Sequence, residues 1–205
     1  MNNYTPFDTR PVILEGERVR LEPLSLEHIP ALAEVAFEPQ IWRWMASRMN
    51  NREDLRRYVE IALAEAAADV SMPWVTRSKT DGRIVGSTRF MDINREHRTL
   101  EIGNTWIHPD YQQSGINVAA KYLQLWHAFE GMGARRVALK THHQNLASQR
   151  AIRALGAKEE GTFRNHMVYP DGSTRNSVWF SVIQEEWPDV QGHMEERMRR
   201  HSVGR

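Results

Sequence analysis

The 205 residues carry 27 Lys and Arg against 26 Asp and Glu, a net charge of +1, and no cysteine. The near balance excludes a global basic field for nucleic acid, and the missing cysteines remove disulfides, thiolate metal sites and a cysteine nucleophile together. The length suits one domain with a sizeable core, and without a long uncharged apolar run the chain reads as a cytoplasmic protein that needs no membrane.

Residues 1–11 mix Asn, Thr, Asp and Arg and read as a flexible arm. Arg18, Val19, Arg20, Leu21, Glu22 and Leu24 then alternate polar and apolar, the mark of a first strand. Ser25 is a helix cap for an apolar stripe of Ile29, Leu32, Ala33, Val35 and Ala36 that is expected to end near Pro39. The aromatic patch at Ile41, Trp42, Trp44 and Met45 reads first as core between two helices. Residues 52–68, rich in Ala, Leu, Glu and Arg, form a second helix with Leu55, Tyr58, Val59, Ala62 and Leu63 on one side. Two strands, 72–77 and 83–93, flank the turn Thr80, Asp81, Gly82 and predict a hairpin.

The stretch from Ile107 to Lys121 is the one that points to chemistry. A strand over 99–107 runs into a loop with Gly115, and a helix follows over about 118–130. Loop amides and the free N–H groups of the helix start would converge where the helix dipole favours an anion. Taken alone, the glycine loop fits a capped tight turn as well as a pyrophosphate cradle. Residues 136–140 form the next strand, which the helical crossover sets parallel to the strand over 99–107. A short helix over 145–155 stops at Gly156, and strands over 161–169 and 175–183 pair across Pro170, Asp171, Gly172 and Ser173. The tail, 189–205, carries Val190, Met194 and Met198 at helical spacing and reads as a solvated terminal helix, so the main domain spans 12–188.

Two blocks in this order resemble the GNAT superfamily of N-acetyltransferases. Gln112, Gln113, Ser114, Gly115, Ile116 and Asn117 are similar to its Gln/Arg-x-x-Gly-x-Gly/Ala loop, with Asn117 where Gly or Ala is usual. Asn145 to Ala157 is similar to its second motif, with Ala157 in place of the usual aromatic. The resemblance runs from the first strand to Trp187. It implies an α/β GNAT fold: a mixed, mostly antiparallel sheet with a splayed parallel strand pair and helices on both faces. The implied activity is transfer of an acetyl group from acetyl-CoA to a primary amine, by direct attack in a ternary complex.

The same resemblance implies roles. Gln112 to Asn117 would hold the pyrophosphate, Asn145 the pantetheine arm, and the main chain of Trp106 and Ile107 the thioester. Many members place a tyrosine seven residues after the asparagine as acid for the leaving thiolate, where this chain has Ile152. Ser148 instead matches the serine of the Rim-type ribosomal-protein N-terminal acetyltransferases, the group this sequence resembles most. The bland reading of Ser148 is a hydroxyl bonded back into its own helix. Glu101 is the candidate general base, with His108 and His166 as rivals, because the glutamate some Rim-type enzymes use aligns with Met167.

Trp42 and Trp44 are weaker candidates for acceptor contact, and Arg164, Asn165 and His166 either line the acceptor pocket or face water. His142 and His143 should point to opposite sides of a strand end, so no metal site is expected. The acceptor is a small-molecule amine or a protein N-terminus, with no nucleic acid or membrane partner, and a homodimer stays open as the assembly. A transferase for a larger acyl-CoA and a non-catalytic acyl-CoA-binding module are the alternatives. Nucleotide-binding and serine-hydrolase glycine motifs do not occur.

Overall fold

The computed structural model describes residues 7–169 and 171–203. Residues 1–6 of the expected arm and Pro170 of the expected second hairpin turn lie outside them. The strands are β1 (Leu14–Glu15), β2 (Val19–Pro23), β3 (Met72–Ser78), β4 (Ile84–Asn94), β5 (Thr99–Ile107), β6 (Arg136–His142), β7 (Lys158–Val168) and β8 (Thr174–Ile183). The helices are α1 (Ile29–Ala33), α2 (Pro39–Trp42), α3 (Arg52–Ala67), α4 (Ile116–Trp126), α5 (Leu146–Arg153) and α6 (Trp187–Val203). One sheet runs in the order β1-β2-β3-β4-β5-β6-β8-β7, antiparallel except for β5 and β6. This is the GNAT fold, with the parallel pair where the helical crossover requires it.

Strand alternation sorts the sheet into two faces. One carries Leu21, Trp74, Phe90, Leu100, Ile102, Val137, Leu139, Val178 and Phe180 and is covered by α4, α5 and α6. The other carries Val75, Ile84 and Trp106 under α1, α2 and α3. Val190 and Met194 of α6 are buried in the first core, so the tail helix is packed against α4 along one side. No helix among the described residues is long and apolar enough to cross a membrane.

Three expectations change. Pro39 opens α2 at its first turn, where a missing N–H costs nothing, rather than closing the preceding helix. α4 starts at Ile116, because Gly115 with φ 88° turns the chain directly into it. It ends at Trp126 in a π-turn over His127–Gly131, closed by Met132 N–H to His127 O at 2.9 Å.

Candidate active site

The site is built on a failure of strand pairing. Thr99, Leu100 and Glu101 of β5 pair with Arg136, Val137 and Ala138 of β6, and beyond them the two strands diverge. A bulge drives the divergence: Gly103 faces Arg89 and Trp106 faces Ser87, so Asn104 and Thr105 together oppose Thr88, and Asn104 takes a left-handed φ of 45°. His108 N–H bonds Val85 O at 2.8 Å. Ladder alternation therefore turns the Trp106 amide toward β4 as well, and the Ile107 amide toward the gap. Of the two expected main-chain contributors, only Ile107 offers its N–H there.

β5 leaves the gap through the glycine loop. Gly115 caps α4, and a Cβ built on it would meet only Arg18, with Cδ at 3.9 Å and Nη1 at 4.0 Å. The space over the loop is therefore open, and it is bordered by a guanidinium that the loop motif does not contain. Gln113 shares the left-handed backbone with φ 60°. Ser114 Oγ donates to Tyr111 O at 2.6 Å and Gln112 Nε2 to Ile107 O at 3.2 Å, so both side chains brace the loop. Asn117 Oδ1, in the first turn of α4, is buried without a hydrogen-bond partner among the described residues. An αL glycine, the free amides of a helix start and open space above them fit a pyrophosphate.

Glu101 stands at the crotch of the gap, 2% exposed, on the face opposite Leu100 and Ile102. Lys140 Nζ donates to its Oε2 at 2.5 Å and lies 3.8 Å from Asp92 Oδ2 and 5.0 Å from the centre of the Trp179 ring. Burial pushes the Glu101 carboxyl up to about 7, against the pull of the Lys140 ammonium. A carboxylate poised near neutrality is the property a general base needs. Gly103 keeps this arrangement possible, since a Cβ there would sit 2.8 Å from Glu101 Oε1 and 2.4 Å from Met91 Sδ. The sequence reading missed Lys140, although it is a cation at the end of the apolar run Val137, Ala138, Leu139.

β6 leaves the gap toward α5. Asn145 Oδ1 caps that helix by accepting from Ser148 N at 3.1 Å, so the asparagine serves the fold with one end of its amide and has Nδ2 left for a ligand. The Ser148 hydroxyl is half-buried and, among the described residues, has no hydrogen bond back into its helix. His108 Nδ1 accepts from Asp110 N at 3.3 Å and serves as a turn cap. His166 Nδ1 lies 3.0 Å from Ser177 Oγ beside Trp179, and burial together with Lys140 and Arg175 holds its pKa below the usual imidazole value.

The open end of the gap has an aromatic wall. Trp42 is core, 2% exposed and packed on Trp106 and Tyr58, whereas the Trp44 ring packs at a tilt against His142, 4.7 Å between centres. The Trp44 carbonyl accepts from Tyr169 Oη and Arg175 Nη1, each at 3.3 Å, which ties the segment after α2 to the β7–β8 hairpin. His142 and His143 stack at 4.6 Å rather than pointing apart, because the chain turns after β6 with Asn145 N–H on His142 O at 2.9 Å. Burial, then His143 and Arg175, push His142 down to about 4. No metal-ligating cluster occurs among the described residues. Phe163, Arg164, Asn165, His166 and Asn176 line an open depression of about 720 Å³ on the hairpin. A second cavity, of about 460 Å³, adjoins the bulge at Asn104 and contains Tyr58 and Arg89.

Comparison with known proteins agrees with this geometry. The Acetyltransferase (GNAT) domain model matches residues 18–158. A candidate acetyltransferase from T. thermophilus is 37% identical, with a TM-score of 0.83 over 91% of this chain and 97% of that one. A GCN5-related N-acetyltransferase from Brucella melitensis is 28% identical, with a TM-score of 0.86 over 97% and 90%. The Uncharacterized N-acetyltransferase YnaD of Bacillus subtilis (strain 168) is 22% identical over 173 residues, 83% of this chain and 96% of that protein. RimL, the ribosomal L7/L12 alpha-N-protein acetyltransferase, is 18% identical with a TM-score of 0.75 over 84% of this chain and 94% of that one, a likeness of fold alone. By the span of the family model and the 37% identical relative, this chain belongs to the GNAT acetyltransferase family.

Proposed function

We propose that the protein transfers an acetyl group from acetyl-CoA to a primary amine by direct attack in a ternary complex. The observation that carries this reading is the gap between β5 and β6, entered from one side by an αL glycine loop and walled on the other by side chains able to move protons. Gln112 to Asn117 and the start of α4 would hold the pyrophosphate, with Arg18 alongside, and Asn145 Nδ2 would bind the pantetheine arm. Acetyl-CoA, when bound, supplies an acyl carbon already activated as a thioester. The Ile107 N–H would bind an acyl oxygen. Glu101 would take the amine proton, directly or through water, and Lys140 would hold its carboxylate in place. Ser148 Oγ–H is the proton donor for the departing sulfur. The acceptor, under this reading, is a small-molecule amine or a protein N-terminus met in the cytoplasm.

Calorimetric titration with acetyl-CoA, on the wild type and on Gly115→Val, tests the cradle. Saturable binding that the variant loses supports it, and thiol release in the presence of an amine panel then tests transfer. A wild type that binds no acetyl-CoA would overturn the reading.

A further inference from the structure

We propose that the cavity at the β5 bulge is the acceptor site and that it selects primary amines that also carry a carboxylate, which Arg89 binds. This rests on the acetyltransferase reading. The cavity lies against Asn104, where β5 has already parted from β6, so a molecule seated in it has its amine at the gap. Tyr58 marks the same junction, its hydroxyl donating to Asn104 O at 3.4 Å.

Arg89 is an unusual residue for its place. It is 2% exposed in a strand whose first seven residues are all buried. A guanidinium does not shed its proton, so a buried one requires anionic or carbonyl oxygens around its fork. Here Nη1 donates to Glu65 Oε2 at 2.9 Å and the guanidinium stacks 4.9 Å from the Tyr58 ring centre, while Nε–H has no acceptor among the described residues. Glu65 reaches in from α3 with its side chain 42% exposed, a carboxylate that can swing out to water. It occupies one nitrogen of a group built for bidentate recognition. A carboxylate arriving through the cavity would complete or replace that contact. Arg48 and Arg57 line the same cavity, against Asp54, which is already engaged by Asn50 N at 2.9 Å. The unmatched charge of the lining is thus positive.

The test pairs acceptors that differ only in the acid: glutamate-first and glutamine-first tripeptide amides, and free 4-aminobutanoate with its amide. Steady-state thiol release is read on the wild type, Arg89→Gln and Glu65→Gln, with direct calorimetric titration of each acceptor into each protein. The wild type should favour the acid of each pair at least tenfold in kcat/KM. Arg89→Gln should bring that ratio near one. Glu65→Gln, which removes the competing negative charge, should lower KM for the acid acceptors severalfold and leave KM for the amides in place. The peptide and free amino acid arms show whether the amine comes from a polypeptide or a metabolite. Equal wild-type affinity for acid and amide, or an unchanged KM ratio in Glu65→Gln, overturns the proposal even if Arg89→Gln does not fold. Acid-selective binding without thiol release keeps the carboxylate site and removes the transferase reading.

Discussion

The two walls of the gap are made of different material. The wall proposed for the donor, from Ile107 through the glycine loop to α4, is mostly backbone: a left-handed glycine, helix-start amides and a strand N–H turned toward the gap. The wall proposed for the acceptor is mostly side chain, gathered from segments far apart in sequence: Trp44, Tyr58, Arg89, His142, Tyr169 and Arg175. Backbone sites depend on local conformation and leave short motifs. Side-chain sites depend on packing and vary freely, which is how one family can keep a donor and change acceptors.

The strongest way to probe the line between the walls is Glu101, which stands at the last paired rung between them. Glu101→Gln should lower kcat about 10²- to 10³-fold, the usual worth of a positioned base, with acetyl-CoA affinity held within about twofold. With the carboxyl raised to about 7 by burial, the active form is the deprotonated one, so wild-type kcat/KM should climb as pH rises through 7 and then level. The variant should lose that limb. A variant that keeps the same limb would assign the base elsewhere, with His166 next in line.

Lys121 tests how firmly the donor wall is mounted. It is 5% exposed on α4, and its Nζ donates to Thr105 Oγ1 at 2.7 Å, Gln124 Oε1 at 3.0 Å and Thr88 Oγ1 at 3.2 Å, all neutral oxygens. Thr105 is part of the β5 bulge and Thr88 faces it, so this lysine fastens α4 to the strand that splays. Burial pushes its pKa down to about 7, well below the value in the unfolded chain. The sign follows: the charged form is disfavoured in the fold, so stability is lowest below pH 7 and rises with pH between the folded and unfolded values. Lys121→Met removes that slope. Between pH 6 and 9 the wild type should gain roughly 2–3 kcal/mol on the variant, about 5–10 °C in Tm. A Tm difference flat across that range would show that the ammonium is not desolvated.

These two residues also mark what the sequence made legible. The two hairpins, the parallel pair and the turn at Gly115 into α4 follow from periodicity, turn residues and one loop, because each is a local consequence of local sequence. Glu101 was found by its place on the strand before the loop. Lys140, Lys121 and Arg89 were not, since a charged residue inside an apolar run signals burial without naming its partner. His142 and His143 illustrate the same limit: strand parity set them apart, and one turn after β6 stacked them.

Ser148→Ala isolates the second proton. Its hydroxyl is half-buried and has no hydrogen-bond partner among the described residues, so its loss should cost the fold little. If Ser148 protonates the departing sulfur, kcat should fall about 10- to 100-fold with both KM values nearly unchanged. An unaltered kcat across pH would return the serine to a structural role in α5.

The smallest effect is the one most specific to the acceptor wall. Trp44→Ala removes a ring that packs against His142 and carries Arg43 4.7 Å from its centre. It leaves the Trp44 carbonyl, and with it both bonds to the β7–β8 hairpin, in place. A single aromatic contact is worth about 0.5–1.5 kcal/mol, so KM for the acceptor should rise about fivefold. Acetyl-CoA affinity should hold, since the ring contacts given by the structure are to His142 and Arg43, both outside the loop. Hydration of His142 should also move its pKa up from about 4 toward the ordinary imidazole value, because burial is the main cause of its depression. An NMR titration of that ring reads the change directly. If acetyl-CoA affinity fell in step with acceptor KM, the two walls would be one cooperative unit rather than a fixed donor seat facing an adaptable acceptor surface.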